Sequence, residues 1–153
     1  MKIKMIAALS IATAATALPL AATAHAYVTD SYIFQSPSGN IGCEMFERDD
    51  DGMEAAVCKI HDHTWAAPPP GDGGCANGFV GQDLTLSRGG TACVGVYPSQ
   101  IWLALDYNKA TLAYGQTHTI GTITCDSEPA GMTCTDSSTG HFFRVSRESY
   151  QLG

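Results

Sequence analysis

The stretch GNIGCEMFERDDDGMEAAVC, residues 39–58, contains two strand-like runs on either side of an Asp-Asp-Asp-Gly turn. Residues 40–47 and 54–61 have the composition of strands, and the turn residues between them favour a tight loop. The stretch therefore predicts a β-hairpin. Cys43 and Cys58 are placed nearly symmetrically about the turn, so they can face each other at the short Cα separation that a disulfide requires.

A second stretch, GTITCDSEPAGMTC, repeats the same order of features: Gly-x-Ile-x-Cys, a turn, Gly-Met and Cys. By the same argument it favours a bridge between Cys125 and Cys134, which leaves Cys75 to pair with Cys93. Six cysteines permit about 15 connectivities, so this pairing is a preference among alternatives. The likeness of the two hairpins has two explanations, an internal duplication or a coincidence in a glycine-rich β protein.

Strand signals recur along most of the remaining chain. Gly, Pro, Asp and Ser interrupt it roughly every eight to twelve residues, a spacing typical of small all-β sandwiches and barrels. Pro68-Pro69-Pro70 and the glycines that follow break the pattern, so residues 65–77 are interpreted as a connection. Residues 97–105 also suit a helix, although a buried strand is favoured there. Beside residues 32–34, the further strand candidates are 83–87, 92–96, 101–105, 117–126, 132–135 and 142–146.

The fold class predicted from these signals is all-β, a small disulfide-stapled antiparallel sandwich or barrel that follows a cleaved signal peptide. Its core candidates share an apolar side chain within a strand segment. They are Phe34, Ile41, Val57, Ile60, Leu84, Leu86, Val94, Ile101, Leu103, Ile120, Ile123, Phe143 and Val145. Trp65 and Trp102 suit either the core or a ligand-binding face, and packing is the favoured interpretation.

Residues 1–26 have the features of a secretory signal peptide. Lys2 and Lys4 form a basic start, an apolar alanine-rich run follows, and Ala24-His25-Ala26 fits the rule for signal peptidase. The alternative is a retained membrane anchor, because the apolar run has about the 20 residues that a span needs. Pro19 and the cleavage site that follows favour removal.

Cleavage after residue 26 predicts a single disulfide-rich β domain at residues 27–153, secreted or in the extracytoplasmic cell envelope. The predicted signal contains two of the eight Lys and Arg and none of the fifteen Asp and Glu, so the mature net charge is −9. This charge repels phosphate backbones and anionic head groups, which argues against binding to nucleic acid or to a membrane surface through a basic patch. No stable membrane insertion is expected once the signal is cleaved. All six cysteines lie downstream of the signal, as expected for an oxidising compartment.

Two motifs carry a family resemblance. The first is FQSPSGNIGC at residues 34–43, and the second includes Tyr114-Gly115, Cys125, Gly131, Cys134, Gly140-His141, Phe143 and Ser146-Arg147. Together they resemble a family of small exported proteins of unknown function, found chiefly in mycobacteria and related actinobacteria. The resemblance implies a secreted or envelope-associated protein without an assigned activity. Phe142 stands where the family pattern has a glycine.

Metal sites have weak candidates. His61 and His63 would share a face if their segment were extended, and His118 or His141 would complete a zinc or copper site. The alternative interpretation is polar residues where a strand runs into a loop. Glu47, Asp49 and Asp51-Gly52 imitate the start of an EF-hand loop, but Cys58 stands where a bidentate Glu is needed, so a solvated hairpin tip is favoured.

Catalytic candidates are equally sparse. A triad of His141, Ser146 and Asp136 is conceivable because triads are defined by geometry, not by sequence order. Arg144 and Arg147 near Tyr150 suit either an anionic ligand or paired surface charges. No residue is assigned as catalytic, cofactor-binding or metal-binding, and no cofactor is expected.

Two functions from different classes remain. The first is a non-enzymatic exported module that binds a protein or cell-envelope component through loops on a rigid scaffold. The second is a small secreted hydrolase with a non-local His/Ser/carboxylate site. A histidine within hydrogen-bond reach of a serine or carboxylate in a cleft favours the hydrolase, and an exposed apolar or aromatic patch favours the binding module.

Overall fold

A computed structural model describes residues 28–69, 72–75, 81–95 and 110–153. Within these ranges the chain forms strands and no helix. The strands are β1 (Val28–Gln35), β2 (Ile41–Arg48), β3 (Glu54–Ile60), β4 (Asp83–Ser87), β5 (Cys93–Gly95), β6 (Ala110–Thr111), β7 (Thr117–Ile120), β8 (Ile123–Glu128), β9 (Gly131–Asp136), β10 (Phe142–Val145) and β11 (Tyr150–Leu152).

The strands form two sheets packed face to face. The six-stranded sheet has the order β5-β4-β3-β2-β1-β6, and the five-stranded sheet has the order β11-β10-β9-β8-β7. All pairings are antiparallel except the short parallel pairing of β1 with β6. Neither sheet closes on itself, so the fold is a sandwich and the predicted all-β class is confirmed.

One predicted strand is wrong. Residues 117–126 were expected to be a single strand, but β7 and β8 are two antiparallel strands in which Ile120 is paired with Ile123. Gly121 and Thr122 make the turn between them, and Gly121 has a φ of 55°, a conformation that glycine adopts without a Cβ penalty. β6 and β11 lie outside the predicted strands. Residues 1–26, the 101–105 strand, the 97–105 helix alternative and Trp102 lie outside the described residues.

The three disulfides join Cys43 to Cys58, Cys75 to Cys93 and Cys125 to Cys134. The first and third pairs are directly opposite each other across their hairpins, with Cα separations of 4.1 and 4.0 Å. These are the pairs that the spacing favours. Three disulfides indicate an oxidising environment, and in the part of the chain that the structure describes no helix is long and apolar enough to cross a membrane.

The core lies between the sheets. Every predicted core residue within the described ranges is buried, whereas Ile101 and Leu103 lie outside them. Alternation along the strands sends Val57 to the other face of the six-stranded sheet, where it joins Phe46 and Ala55 in a second small cluster. Trp65 is half-buried and packs against the main core, as the favoured interpretation expects.

Two buried carboxylates join the sheets at one end, here called the latched end. Glu54 of the six-stranded sheet accepts hydrogen bonds from the backbone N–H and hydroxyl of Thr122, at 2.7 and 2.9 Å, and from Arg88 at 2.8 Å. Asp136 of the five-stranded sheet accepts one from the N–H of Gly89 at 2.8 Å. Each sheet therefore holds a turn of the other.

Candidate functional site

A cleft of about 490 Å³ opens at the end of the sandwich opposite the latched end. Five loop regions line it: residues within 36–41, residues 61–62, Tyr114, residues 128–131 and residues 146–148. These regions belong to both sheets. They lie at one end of the sandwich because antiparallel strands bring alternate turns to the same end. The volume lies within the range of small-molecule sites, roughly 300–1,000 Å³.

The first wall is the turn between β1 and β2. The buried Ser36 closes it, because its backbone N–H donates to Ile41 O at 2.8 Å and its hydroxyl accepts from the Ile41 N–H at 3.2 Å. Gly39 has a φ of 72° in the middle of the turn. Ser38 accepts from the Asn40 N–H at 3.3 Å. The Pro-Ser-Gly-Asn part of the opening motif therefore builds a compact turn.

Residues 61–65 connect the two sheets beside the cleft. The side-chain amide of Asn40 donates to Asp62 O at 3.0 Å and accepts from the Asp62 N–H at 2.8 Å. The Thr64 N–H donates to Arg147 O at 2.9 Å, and Trp65 Nε1 donates to Ser146 O at 2.9 Å. The segment is therefore held by a turn of each sheet, which fixes the distance between the walls.

Gly131, at the start of β9, also lines the cleft. Its φ is 137°, and a Cβ at this position would lie 2.2 Å from Val145 O. Only glycine permits this close approach of β9 to the end of β10. The position of Gly131 in the second motif thus has a steric reason.

The cleft has a small excess of carboxylates over arginines. Arg147 lies 3.8 Å from the Asp62 carboxylate, and both side chains are exposed. Glu128, at the end of β8, lies 3.6 Å from Arg144 of β10, which is separated from β8 by β9. Glu148 adds a third carboxylate. Next to the cleft, burial and then the charge of Glu128 raise the pKa of Asp126.

Tyr114 contributes the exposed aromatic side chain of the cleft, with 42% of its surface accessible. The other large apolar side chain that is exposed among the described residues is Val28, on β1. Tyr114 precedes Gly115, whose N–H donates to Ser127 O at 2.7 Å and anchors the loop to β8. The ring is therefore presented from a fixed backbone.

The four candidate histidines lie at separate places. His61 lines the cleft, and the ring of His63 stacks on Trp65 with centroids 4.1 Å apart. His118 stacks on Tyr32 at 3.8 Å, and His141 Nδ1 lies 3.2 Å from Gly153 O. The chain bends at residues 61–62 after β3, so the segment is not the extended one that a shared face of His61 and His63 requires. Within the described ranges no three His, Cys, Asp or Glu side chains form a group that suits a metal ion.

At the acidic hairpin tip, the Asp51 carboxylate accepts hydrogen bonds from residues of the same turn. Asp51 accepts hydrogen bonds from the Arg48 guanidinium and from the Met53 N–H, the latter at 3.0 Å. The Arg48 hydrogen bond, followed by that of Met53, lowers the pKa of Asp51. These contacts close the tip between β2 and β3 in the manner of a turn, as the solvated-tip interpretation expects.

The three residues of the possible triad serve separate structural roles. Asp136 is fully buried and accepts from the Ser138 N–H and hydroxyl and from the Thr139 hydroxyl. Ser146 accepts from the N–H groups of Glu148 and Ser149 in the turn between β10 and β11. Asp136 and His141 share a backbone hydrogen bond, from the Asp136 N–H to His141 O at 2.9 Å, but Ser146 lies at the opposite end of β10 from His141. No histidine side chain in the described ranges hydrogen-bonds to a serine hydroxyl or a carboxylate.

Sequence reasoning missed several cleft residues. Asp62, Glu128 and Glu148 carried no signal beyond being polar residues in turns. Arg147 was considered as an anion-binding residue, and the cleft gives it an acidic neighbour instead. Residues of the opening motif and Ser146-Arg147 of the second motif, more than a hundred positions apart, do meet in the cleft.

Comparison with known proteins gives one finding. A family model described as a family of unknown function (DUF6636) matches residues 9–152. Searches of curated proteins and of solved structures return no significant match.

Proposed function

The chain belongs to the DUF6636 family of unknown function, and from this premise we propose that it is an exported, non-enzymatic module that binds a protein or cell-envelope component in its cleft. The observation that carries the proposal is the convergence in the cleft of the opening motif and of Ser146-Arg147. Both motifs carry the family resemblance. Loops on a fixed scaffold are the usual place for such a site.

The scaffold around the cleft supports a binding role. Two disulfides cross the central hairpins, and the carboxylates of Glu54 and Asp136 join the sheets at the far end. A preformed cleft loses little conformational entropy when a ligand enters it. Exposed Tyr114 supplies an aromatic contact in the cleft, which is the feature expected of a binding module.

A small secreted hydrolase is the alternative. The observation in its favour is that His61 lines the same cleft as Ser146 and Asp62. The hydroxyl of Ser146 is already engaged in its own turn, and the carboxylate of Asp62 faces Arg147. A nucleophile requires a base within about 3.2 Å, and the hydrogen bonds of the cleft supply no such pair.

Binding is tested with protein purified from cells that express the full chain with a tag. Wild type should retain a component of the producing cell's envelope or culture fluid, and the Tyr114→Ala/Arg147→Ala variant should lose it. Val28→Ala is the matched control, because Val28 is exposed but outside the cleft. Retention by the cleft variant, or turnover of a generic ester or glycoside without any specific partner, contradicts the proposal.

Export is tested by the mass of the purified protein. The expected mass lacks residues 1–26 and increases by about six hydrogens on reduction, since three disulfides leave no thiol. A retained leader contradicts export, and a free thiol contradicts the three bridges.

A further inference from the structure

The charges of the cleft are distributed in a way that disfavours a charged ligand. Three carboxylates line the cleft, those of Asp62, Glu128 and Glu148. The arginine in the lining is Arg147, and Arg144 is paired with Glu128. A phosphate- or sulfate-bearing ligand would meet more negative than positive charge, which costs affinity. A cation would find Asp62 and Glu128 already beside arginines, which leaves the exposed Glu148, and an exposed ion pair contributes less than about 1 kcal/mol. The balance favours a neutral ligand.

The same groups suit a ligand that both donates and accepts hydrogen bonds. Arg147 has five N–H donors, of which the contact with Asp62 at 3.8 Å occupies few. Glu148 and Tyr114 line the same cleft with exposed side chains, and within the described residues no hydrogen bond or ion pair engages either side chain. Hydroxyl groups pair with carboxylate acceptors and guanidinium donors alike. A polyhydroxylated ligand can satisfy this mixture.

Tyr114 adds a flat apolar surface to this polar lining. A sugar ring has hydroxyl groups around its edge and a face of C–H groups, so it packs against an aromatic ring while its edge makes hydrogen bonds. A peptide adding to a sheet would need a free strand edge, and the cleft is formed by turns at strand ends. From these contacts we infer that the ligand is a neutral carbohydrate chain, bound with one sugar face against Tyr114 and its hydroxyl groups towards Arg147 and Glu148.

This inference rests on the proposed function, and treatment of the envelope fraction separates the two. Periodate cleaves the vicinal diols of sugars, and protease digests proteins. Binding of the wild-type protein should be lost after periodate treatment and retained after protease digestion. Loss after protease digestion alone identifies a protein partner and overturns the carbohydrate inference, while the binding function stands. Absence of any binding to untreated envelope overturns both.

A direct titration compares sugar probes that differ in charge. Neutral triacetylchitotriose and maltotriose are compared with cationic chitotriose and with anionic glucose 6-phosphate by NMR of the labelled protein. A neutral probe should shift amide signals of Tyr114 and Arg147, and Tyr114→Ala should weaken that binding about three- to tenfold, whereas Tyr114→Phe keeps the ring and changes it little. The inference is overturned if amide signals shift only with a charged probe, or if Tyr114→Ala binds a neutral probe as tightly as wild type. It is also overturned if no neutral probe binds and binding to the envelope fraction survives periodate treatment.

Discussion

The Sγ atoms of Cys58 and Cys134 lie 4.0 Å apart, so the disulfides of the two sheets contact each other in the core. Both sulfurs are bonded to their own partners, which makes the contact one of packing between polarisable atoms. Both cysteines are fully buried. The two hairpins that share the Gly-x-Ile-x-Cys pattern thus face each other across the sandwich.

Removal of the disulfide between Cys43 and Cys58 should lower the free energy of unfolding by more than its loop length implies. The chain-entropy model gives about 3 kcal/mol for either of the bridges Cys43 to Cys58 and Cys75 to Cys93, which enclose 15 and 18 residues. Cys43→Ala/Cys58→Ala also leaves a void against Cys134. We expect its loss of unfolding free energy, measured by urea denaturation, to exceed that of Cys75→Ala/Cys93→Ala. Equal losses would contradict a packing role for the contact.

The hairpins and their bridges could be predicted because their determinants are local. Turn residues, strand composition and cysteine spacing all occur within residues 39–58 and 121–134. The contact between Cys58 and Cys134 could not be predicted, because it depends on how two sheets distant in sequence pack together. The division of residues 117–126 was missed although Gly121 carried the signal, since apolar residues on both sides of a two-residue turn imitate a continuous strand.

Glu54 should be a major determinant of sheet-to-sheet stability. Its buried carboxylate accepts two hydrogen bonds from Thr122 and one from Arg88, and hydrogen bonds to charged groups contribute about 1.5–3 kcal/mol each. Glu54→Ala should therefore lower the unfolding free energy by about 3 kcal/mol in urea denaturation. The matched control is Glu128→Gln, which breaks an exposed ion pair worth less than about 1 kcal/mol. A Glu54→Ala variant as stable as this control would contradict the latch.

Asp136 should make stability fall in acid. Burial raises its pKa, but hydrogen bonds from Gly89 and Ser138 outweigh that effect and lower it well below the ordinary value of 3.8. A pKa lowered by folding means that the ionised form stabilises the fold, fully above the ordinary value and less as the pH falls towards the folded-state pKa. Asp136→Asn should thus cost about 2–3 kcal/mol at pH 7, and its difference from wild type should narrow below about pH 4.

Asp126→Asn is the control of opposite sign for that series. Burial and Glu128 raise the pKa of Asp126, so its ionised form opposes folding. The stabilisation from its protonated form is complete below the ordinary pKa and is lost as the pH rises through the raised folded-state pKa. The variant should be at least as stable as wild type at pH 7 and no more stable than wild type in acid. Parallel pH curves for the Asp136 and Asp126 variants would contradict both assignments. The stabilities of both variants and of wild type are measured as denaturant midpoints at pH 7, 5, 4 and 3.

The cleft illustrates what sequence patterns leave out. The opening motif and Ser146-Arg147 were visible in the sequence as two parts of a family resemblance. Their meeting depends on residues 61–65, whose backbone partners are Asn40 on one side and Arg147 on the other. Backbone partners of an irregular segment leave no periodic signal in the sequence. The cleft therefore required the three-dimensional structure.

Gly131 should tolerate no side chain. Its φ of 137° disfavours any L-residue, and an added Cβ would lie 2.2 Å from the carbonyl oxygen of Val145, which is backbone and cannot swing away. Gly131→Ala should lower the unfolding free energy by about 2 kcal/mol or more, measured by thermal or urea denaturation. Ala130→Gly, the exposed neighbour, is the control and should change it by less than about 1 kcal/mol.

Trp65 should position the Ser146-Arg147 turn through its indole N–H. Trp65→Phe keeps an aromatic ring against the core but removes the 2.9 Å hydrogen bond to Ser146 O. The adjacent bond from the Thr64 N–H to Arg147 O should then open more often, so hydrogen exchange at the Thr64 amide should accelerate. The amide of Cys58, inside the central hairpin, is the internal control and should exchange at the wild-type rate. Faster exchange at both amides would indicate general destabilisation and contradict a local positioning role. Unchanged exchange at Thr64 would contradict any role of the indole hydrogen bond in holding the Ser146-Arg147 turn.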